Sequence, residues 1–152
     1  MVRCPMPEMK TSDYVLAVLA ADADAHFSPV QLQKLFFLLE RKVGSRVGGP
    51  HFTFRPYNYG PFDAQVYEEV ERLEGVGLAN IARPHFGPRE FALNDRGKAA
   101  GLKVLIDHGL SGAMCEYFAN VSKYVRSMSF QQLVSSVYRE FPEMKARSIF
   151  HE

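Results

Sequence analysis

The chain has 152 residues, 47% apolar and 23% charged, with a net charge of +1. That length favours a single domain over 1–152, able to bury about 68–70% of the surface its unfolded chain exposes. The near-neutral balance excludes a bulk field drawing the chain onto nucleic acid or anionic lipid. The longest apolar run, Tyr14 to Ala21, is shorter than the ~20 residues that cross a bilayer.

Residues 1–10 are expected to fray, and they hold no continuous apolar stretch of the kind a signal peptide needs. Cys4 and Cys115 lie in no CxxC pattern, and Cys115 falls on a predicted helix as a small apolar residue. Two such separated cysteines fit a reducing cytoplasm.

Thr11, Ser12 and Asp13 can cap a first helix running to about Ala25, with Val15, Val18 and Leu19 facing inward. Asp22 and Asp24 at its end read as solvated. Ser28-Pro29-Val30-Gln31 is a sharper signal, a capping box with Pro in the first helical turn. The second helix then runs to about Val43. Leu32, Leu35, Phe36, Leu39 and Val43 form one stripe, widened by Phe37 and Leu38, so this helix is expected at the centre of the fold.

His51-Phe52-Thr53-Phe54-Arg55 alternates and predicts a short strand, with Pro56 confining its end to an edge. Pro61 is expected to start a third helix ending near Gly75 or Gly77. That helix turns Val66, Val70 and Leu73 inward, while Glu68 and Glu69 read as a solvated face. Leu78 to Ala82 and Glu90 to Leu93 predict a hairpin whose broad tip is punctuated by Pro84, Gly87 and Pro88. Asn94 or Asp95 caps a fourth helix to about His108, weakened by Gly97 and Gly101 at roughly 1 kcal/mol each relative to Ala. A fifth helix carries the stripe Tyr117, Phe118, Val121, Tyr124, Val125 and Met128, which suits either the core or a homodimer contact. Ser129-Phe130-Gln131-Gln132 is another capping box, opening a sixth helix that Pro142 ends. The predicted fold class is therefore α+β and mainly α, with a small antiparallel hairpin sheet.

Phe91-Ala92-Leu93-Asn94-Asp95-Arg96-Gly97-Lys98, after a helix and a hairpin, resembles the end of a winged-helix module, with Asn94 at the cap. A more specific resemblance spans roughly residues 28–80. Leu32-Gln33-Lys34-Leu35-Phe36-Phe37, then Tyr59-Gly60-Pro61, then Val66-Tyr67, resembles the Panacea domain of SocA-like antitoxins and is also similar to YwgA-like bacterial proteins. The resemblance implies a mainly helical cytoplasmic protein of bacterial or phage origin that neutralises a toxin through contact with a partner protein. The matching positions are Gln33, Lys34, Tyr59, Gly60, Pro61, Val66 and Tyr67. The chain departs from the pattern in having no Trp before Tyr59 and in placing Phe62 after Pro61.

Three classes of function follow. As a non-enzymatic protein-binding module, the chain would use Lys34, Tyr57, Tyr59, Gly60, Pro61, Tyr67 and Glu68, an aromatic and acidic surface suited to covering another polypeptide. Alternatively Tyr59-Gly60-Pro61 only starts a helix, and Lys34 is a solvated lysine. As a winged-helix-like DNA-binding regulator it would use Arg83, Arg89 and Lys98, in a stretch of net +3 over residues 83–103. Two objections stand against DNA. The helix before the hairpin nets −4, from Asp63, Glu68, Glu69, Glu71 and Glu74 against Arg72, and would meet phosphate repulsively. A winged helix also needs two helices between its first strand and its hairpin, and with the strand at 51–55 there is one. Catalysis has no HExxH, GxSxG or P-loop behind it. No cofactor or metal is expected, although His51 and His85 both flank predicted strands and could converge.

Overall fold

The computed structural model describes residues 9–150. Helices α1 (Thr11–Ala21) and α2 (Pro29–Val43) are followed by a 3₁₀ turn at Gly44–Val47. The hairpin β1 (Arg55–Tyr57) and β2 (Gly60–Phe62) leads into α3 (Ala64–Gly75). A second hairpin, β3 (Ala79–Ala82) and β4 (Glu90–Leu93), leads into α4 (Asp95–Asp107), α5 (Ala113–Ser127) and α6 (Phe130–Glu140), and a 3₁₀ turn at Pro142–Lys145 follows. The class is α+β and mainly α, with two separate two-stranded antiparallel sheets.

The capping boxes form as the sequence dictates. Ser28 Oγ accepts from Gln31 N at the start of α2, and Ser129 Oγ accepts from Gln132 N at the start of α6. In both boxes the glutamine side chain accepts from the backbone N–H of the capping serine. Helix α2 is the central element. Its whole run from Leu32 to Leu39 is buried, a wider face than one stripe gives. Leu32, Leu35, Phe36 and Leu39 join a core built with α1, α3, β3, β4, Leu105 and Phe118. Phe37 and Leu38 face a second cluster with Val125, Leu133, Val134, Val137, Tyr138 and Met144. The α5 stripe goes largely to these cores through Phe118 and Val125, while Tyr124 remains half exposed.

Four sequence expectations change. Helix α1 stops at Ala21 rather than near Ala25, because Asp22 is drawn into the fold. Its carboxylate accepts from Ser122 Oγ at 2.7 Å and Arg126 Nη2 at 2.6 Å, tying the end of α1 to α5. Residues 51–55 alternate in burial, but only Arg55 enters a ladder, opposite Phe62 in β2, and 51–54 form none. Phe52 and Phe54 pack edge-on against Phe36 and Phe37, while the backbone N–H groups of His51 and Thr53 donate to the Glu40 and Asp63 carboxylates. Pro61 lies in β2 opposite Pro56, and Asp63, not Pro61, caps α3 by accepting from Gln65 N. Glu69 is buried rather than solvated, one of its oxygens taken by Arg72 at 3.0 Å.

Gly97 and Gly101 are points of close approach. An added Cβ at Gly101 would sit 2.3 Å from Ala20 Cβ, and one at Gly97 only 1.9 Å from the Leu78 carbonyl oxygen. The helix propensity given up in α4 therefore secures its packing on α1 and on Leu78, just before β3.

The winged-helix order is present, by a route the sequence hides. Phe27, between α1 and α2, exchanges both backbone hydrogen bonds with Phe91 of β4 at 2.9 Å. A one-residue first strand thus pairs with the hairpin, and two helices, α2 and α3, lie between them. The topological objection falls; the β1–β2 hairpin is an insertion between those two helices.

Candidate functional site

The β1–β2 hairpin folds back over α2. Tyr57 pairs with Gly60, leaving Asn58 and Tyr59 as the turn. The reversal is completed at Gly60, whose φ of 109° a residue with a side chain adopts only under strain. Gln33 fixes the far end of the hairpin, donating to the Asp63 carbonyl at 2.9 Å and accepting from Asp63 N at 3.0 Å. A buried side-chain amide thus does the work of a neighbouring strand.

Between this hairpin, α2 and α3 opens a cleft of about 260 Å³. Its walls include Lys34, Tyr57, Tyr59, Gly60, Pro61 and Tyr67, six of the seven residues that the sequence assigned to partner binding. Glu68 is not among them and lies exposed on α3. Tyr67 is half-buried and acts as a wall. Its ring stacks on Phe91 at 5.6 Å, its hydroxyl donates to the Pro29 carbonyl at 3.3 Å, and burial raises its pKa. Tyr57 and Tyr59 are 50% and 39% exposed and, with Phe130 at 44%, make an aromatic rim. Tyr59 meets Phe130 edge-on at 5.1 Å.

Lys34 lies at the base of the cleft and is only 3% exposed. Among the described residues it has no ion-pair partner, and its Nζ donates to the Pro61 carbonyl over a long 3.4 Å. Burial alone pulls its ammonium from 10.5 down to about 7. Solvation on the outer face of α2 is therefore corrected: the buried run from 32 to 39 takes Lys34 and Gln33 inside with the apolar residues.

The basic residues are differently placed. Arg83 makes a two-pronged pair with Glu74, both bonds at 3.0 Å, which lowers the Glu74 pKa. Arg89 lies over the rings of Tyr67 and Phe91 at 5.0 Å and reaches Glu71 at 3.4 Å. Lys98 bonds Asp24 at 3.0 Å. Each charge faces an acid of this same chain.

His51 and His85 do not come together. His51 stacks on Tyr14 at 4.4 Å and bonds Thr11 Oγ1 and the Val47 carbonyl, whereas His85 sits in the exposed loop between β3 and β4. Among the described residues no three of His, Cys, Asp and Glu gather as a metal site would require. Cys115 is half-buried, its thiol pKa raised by burial, and Cys4 lies outside the described residues. No helix among the described residues is long and apolar enough to cross a membrane. Comparison with protein-family models, with curated proteins and with solved structures finds no match to this chain.

Proposed function

We propose that this chain is a non-enzymatic protein-binding module, an antitoxin or related regulator acting in the cytoplasm, that holds a partner polypeptide against the Lys34 cleft. The observation that supports it is the pairing of an open aromatic rim with a buried amine lacking an acidic partner among the described residues. Rims of tyrosine and phenylalanine supply large, rigid contact area, and a few such anchors dominate most interfaces. Occlusion is the mechanism: the partner is covered rather than chemically altered. The Panacea resemblance over residues 28–80 adds the toxin as partner.

The test is a photo-crosslinking amino acid placed at Tyr59 and, as a control, at Phe86, which is 93% exposed on the far hairpin. Capture of one polypeptide from Tyr59 only, with rescue of cells expressing a toxic neighbouring reading frame, supports the reading. Equal capture at both positions, or none at Tyr59, ends it.

DNA binding is the second reading, and the winged-helix order is what favours it. Charge opposes it. The helix in the recognition position, α3, is acidic, and Arg83, Arg89 and Lys98 are paired within the chain. A gel shift against genomic fragments at low and high salt separates the two; binding at low salt with a steep salt dependence would restore the DNA reading.

A further inference from the structure

We propose that the cleft recognises a single carboxylate carried on an apolar stem by the partner polypeptide, with Lys34 protonated as the two groups pair. The inference rests on the protein-binding reading and names what that site reads.

Five observations converge. Among the described residues no acidic one lines the cleft, so the ionisable cation there has nothing of opposite sign to meet. Its hydrogen bond to Pro61 is longer than the usual 2.7–3.2 Å of N–H···O bonds, leaving donor capacity unspent. The volume, about 260 Å³, lies below the roughly 300–1,000 Å³ of drug-sized sites and suits one side chain or chain end. Lys34 is the one cation among the described residues lining the cleft, which matches the single charge of a carboxylate better than the double charge of a phosphate. The rim formed by Tyr57, Tyr59 and Phe130 extends beyond the cavity, where flanking residues of a polypeptide would lie.

The groups around the amine allow this change of charge. The hairpin presents Tyr57 and Tyr59, α3 presents Tyr67, and α6 presents Tyr138, which lies near Gly60. Cations lie behind two of these rings, Arg89 over Tyr67 and Lys145 over Tyr138 at 5.8 Å. Asp63, following β2, has its carboxylate held by the N–H groups of Thr53 and Gln65. A carboxylate entering the cleft would therefore be the acid nearest the amine. The proton comes from solvent, converting amine to ammonium, and no covalent bond changes.

The experiment is calorimetric titration at pH 8 in two buffers of different ionisation enthalpy. The probes are N-acetyl-Phe-Glu-Leu-amide, its Gln counterpart, N-acetylphenylalanine as a chain end, and 3-phenylpropionate as a free acid. The expected result is at least ~10-fold preference for the Glu peptide or the chain end over the Gln peptide, with uptake of nearly one proton. Lys34→Met, and separately Lys34→Gln, should abolish both preference and uptake while melting cooperatively. Equal binding of Glu and Gln peptides, a preference that survives in Lys34→Met, or no binding by any probe overturns the inference. So does tighter binding of 3-phenylpropionate than of either peptide, which would make the cleft a small-acid site. Crosslinking at Tyr59 that persists beside any of these failures would leave the protein-binding reading standing and remove only the carboxylate.

Discussion

Replacing Lys34 by Met should stabilise the fold at neutral pH, the reverse of the usual effect of a change in the interior. The lysine is 3% exposed, and its pKa falls from 10.5 to about 7. Between those values the unfolded chain binds a proton that the folded chain does not, so stability rises with pH across that window. The slope is about 1.36 kcal/mol per pH unit, and over the whole window the contribution is on the order of 5 kcal/mol, fully present above 10.5 and lost as pH falls through about 7. Methionine is close in length, flexible, and carries no charge to desolvate. Urea denaturation at pH 7.5 and pH 9 reads the difference. Wild type should gain about 2 kcal/mol between them from this group alone, and Lys34→Met should show no such gain and be the more stable protein at pH 7.5. Equal slopes in the two proteins, or a less stable Met variant at pH 7.5, would refute a buried amine without an acid partner.

Three further substitutions test the surroundings. Gly60→Ala forces a side chain into φ 109°, with its Cβ 3.2 Å from Lys34 Nζ and 3.4 Å from Tyr138, and should cost about 1–3 kcal/mol by denaturant titration. Gly101→Ala improves helix propensity by roughly 1 kcal/mol, yet its Cβ meets Ala20 Cβ at 2.3 Å; the melting temperature should fall, and a rise would mean that α1 and α4 are not packed as described. Gln33→Met removes both bonds to the Asp63 backbone, leaving buried groups unpaired, and should destabilise by about 2 kcal/mol with faster amide exchange at Asp63.

What the sequence made legible was local. The two capping boxes depend on residues within a turn of one another, and the central helix α2 and the β3–β4 hairpin with its following capped helix on patterns within one short stretch of chain. What it hid was tertiary. The alternation at 51–55 follows the burial, but the backbone N–H groups of His51 and Thr53 are met by the side chains of Glu40 and Asp63, and a strand pairs only with Arg55. Pro56 and Pro61 argue against a hairpin one at a time, and only their pairing opposite each other makes room for both. Nothing in the sequence marks Phe27 as a strand, because its ladder partner, Phe91, is 64 residues away. The candidate site was found through the resemblance around Tyr59-Gly60-Pro61; the burial of Lys34 was signalled, faintly, by the breadth of the apolar run on both sides of it. Glu68, expected to give the site its acidic character, lies exposed on α3 outside the cleft, because successive helical residues point in different directions.

The most direct measurement follows the Lys34 ammonium itself, by NMR of ¹³C-labelled lysine side chains with the resonance assigned through Lys34→Met, before and after addition of the polypeptide captured at Tyr59. One lysine should titrate near 7 in the free protein and move back toward 10.5 in the complex. A Lys34 that titrates with the surface lysines, or whose midpoint the bound polypeptide leaves in place, would contradict this expectation.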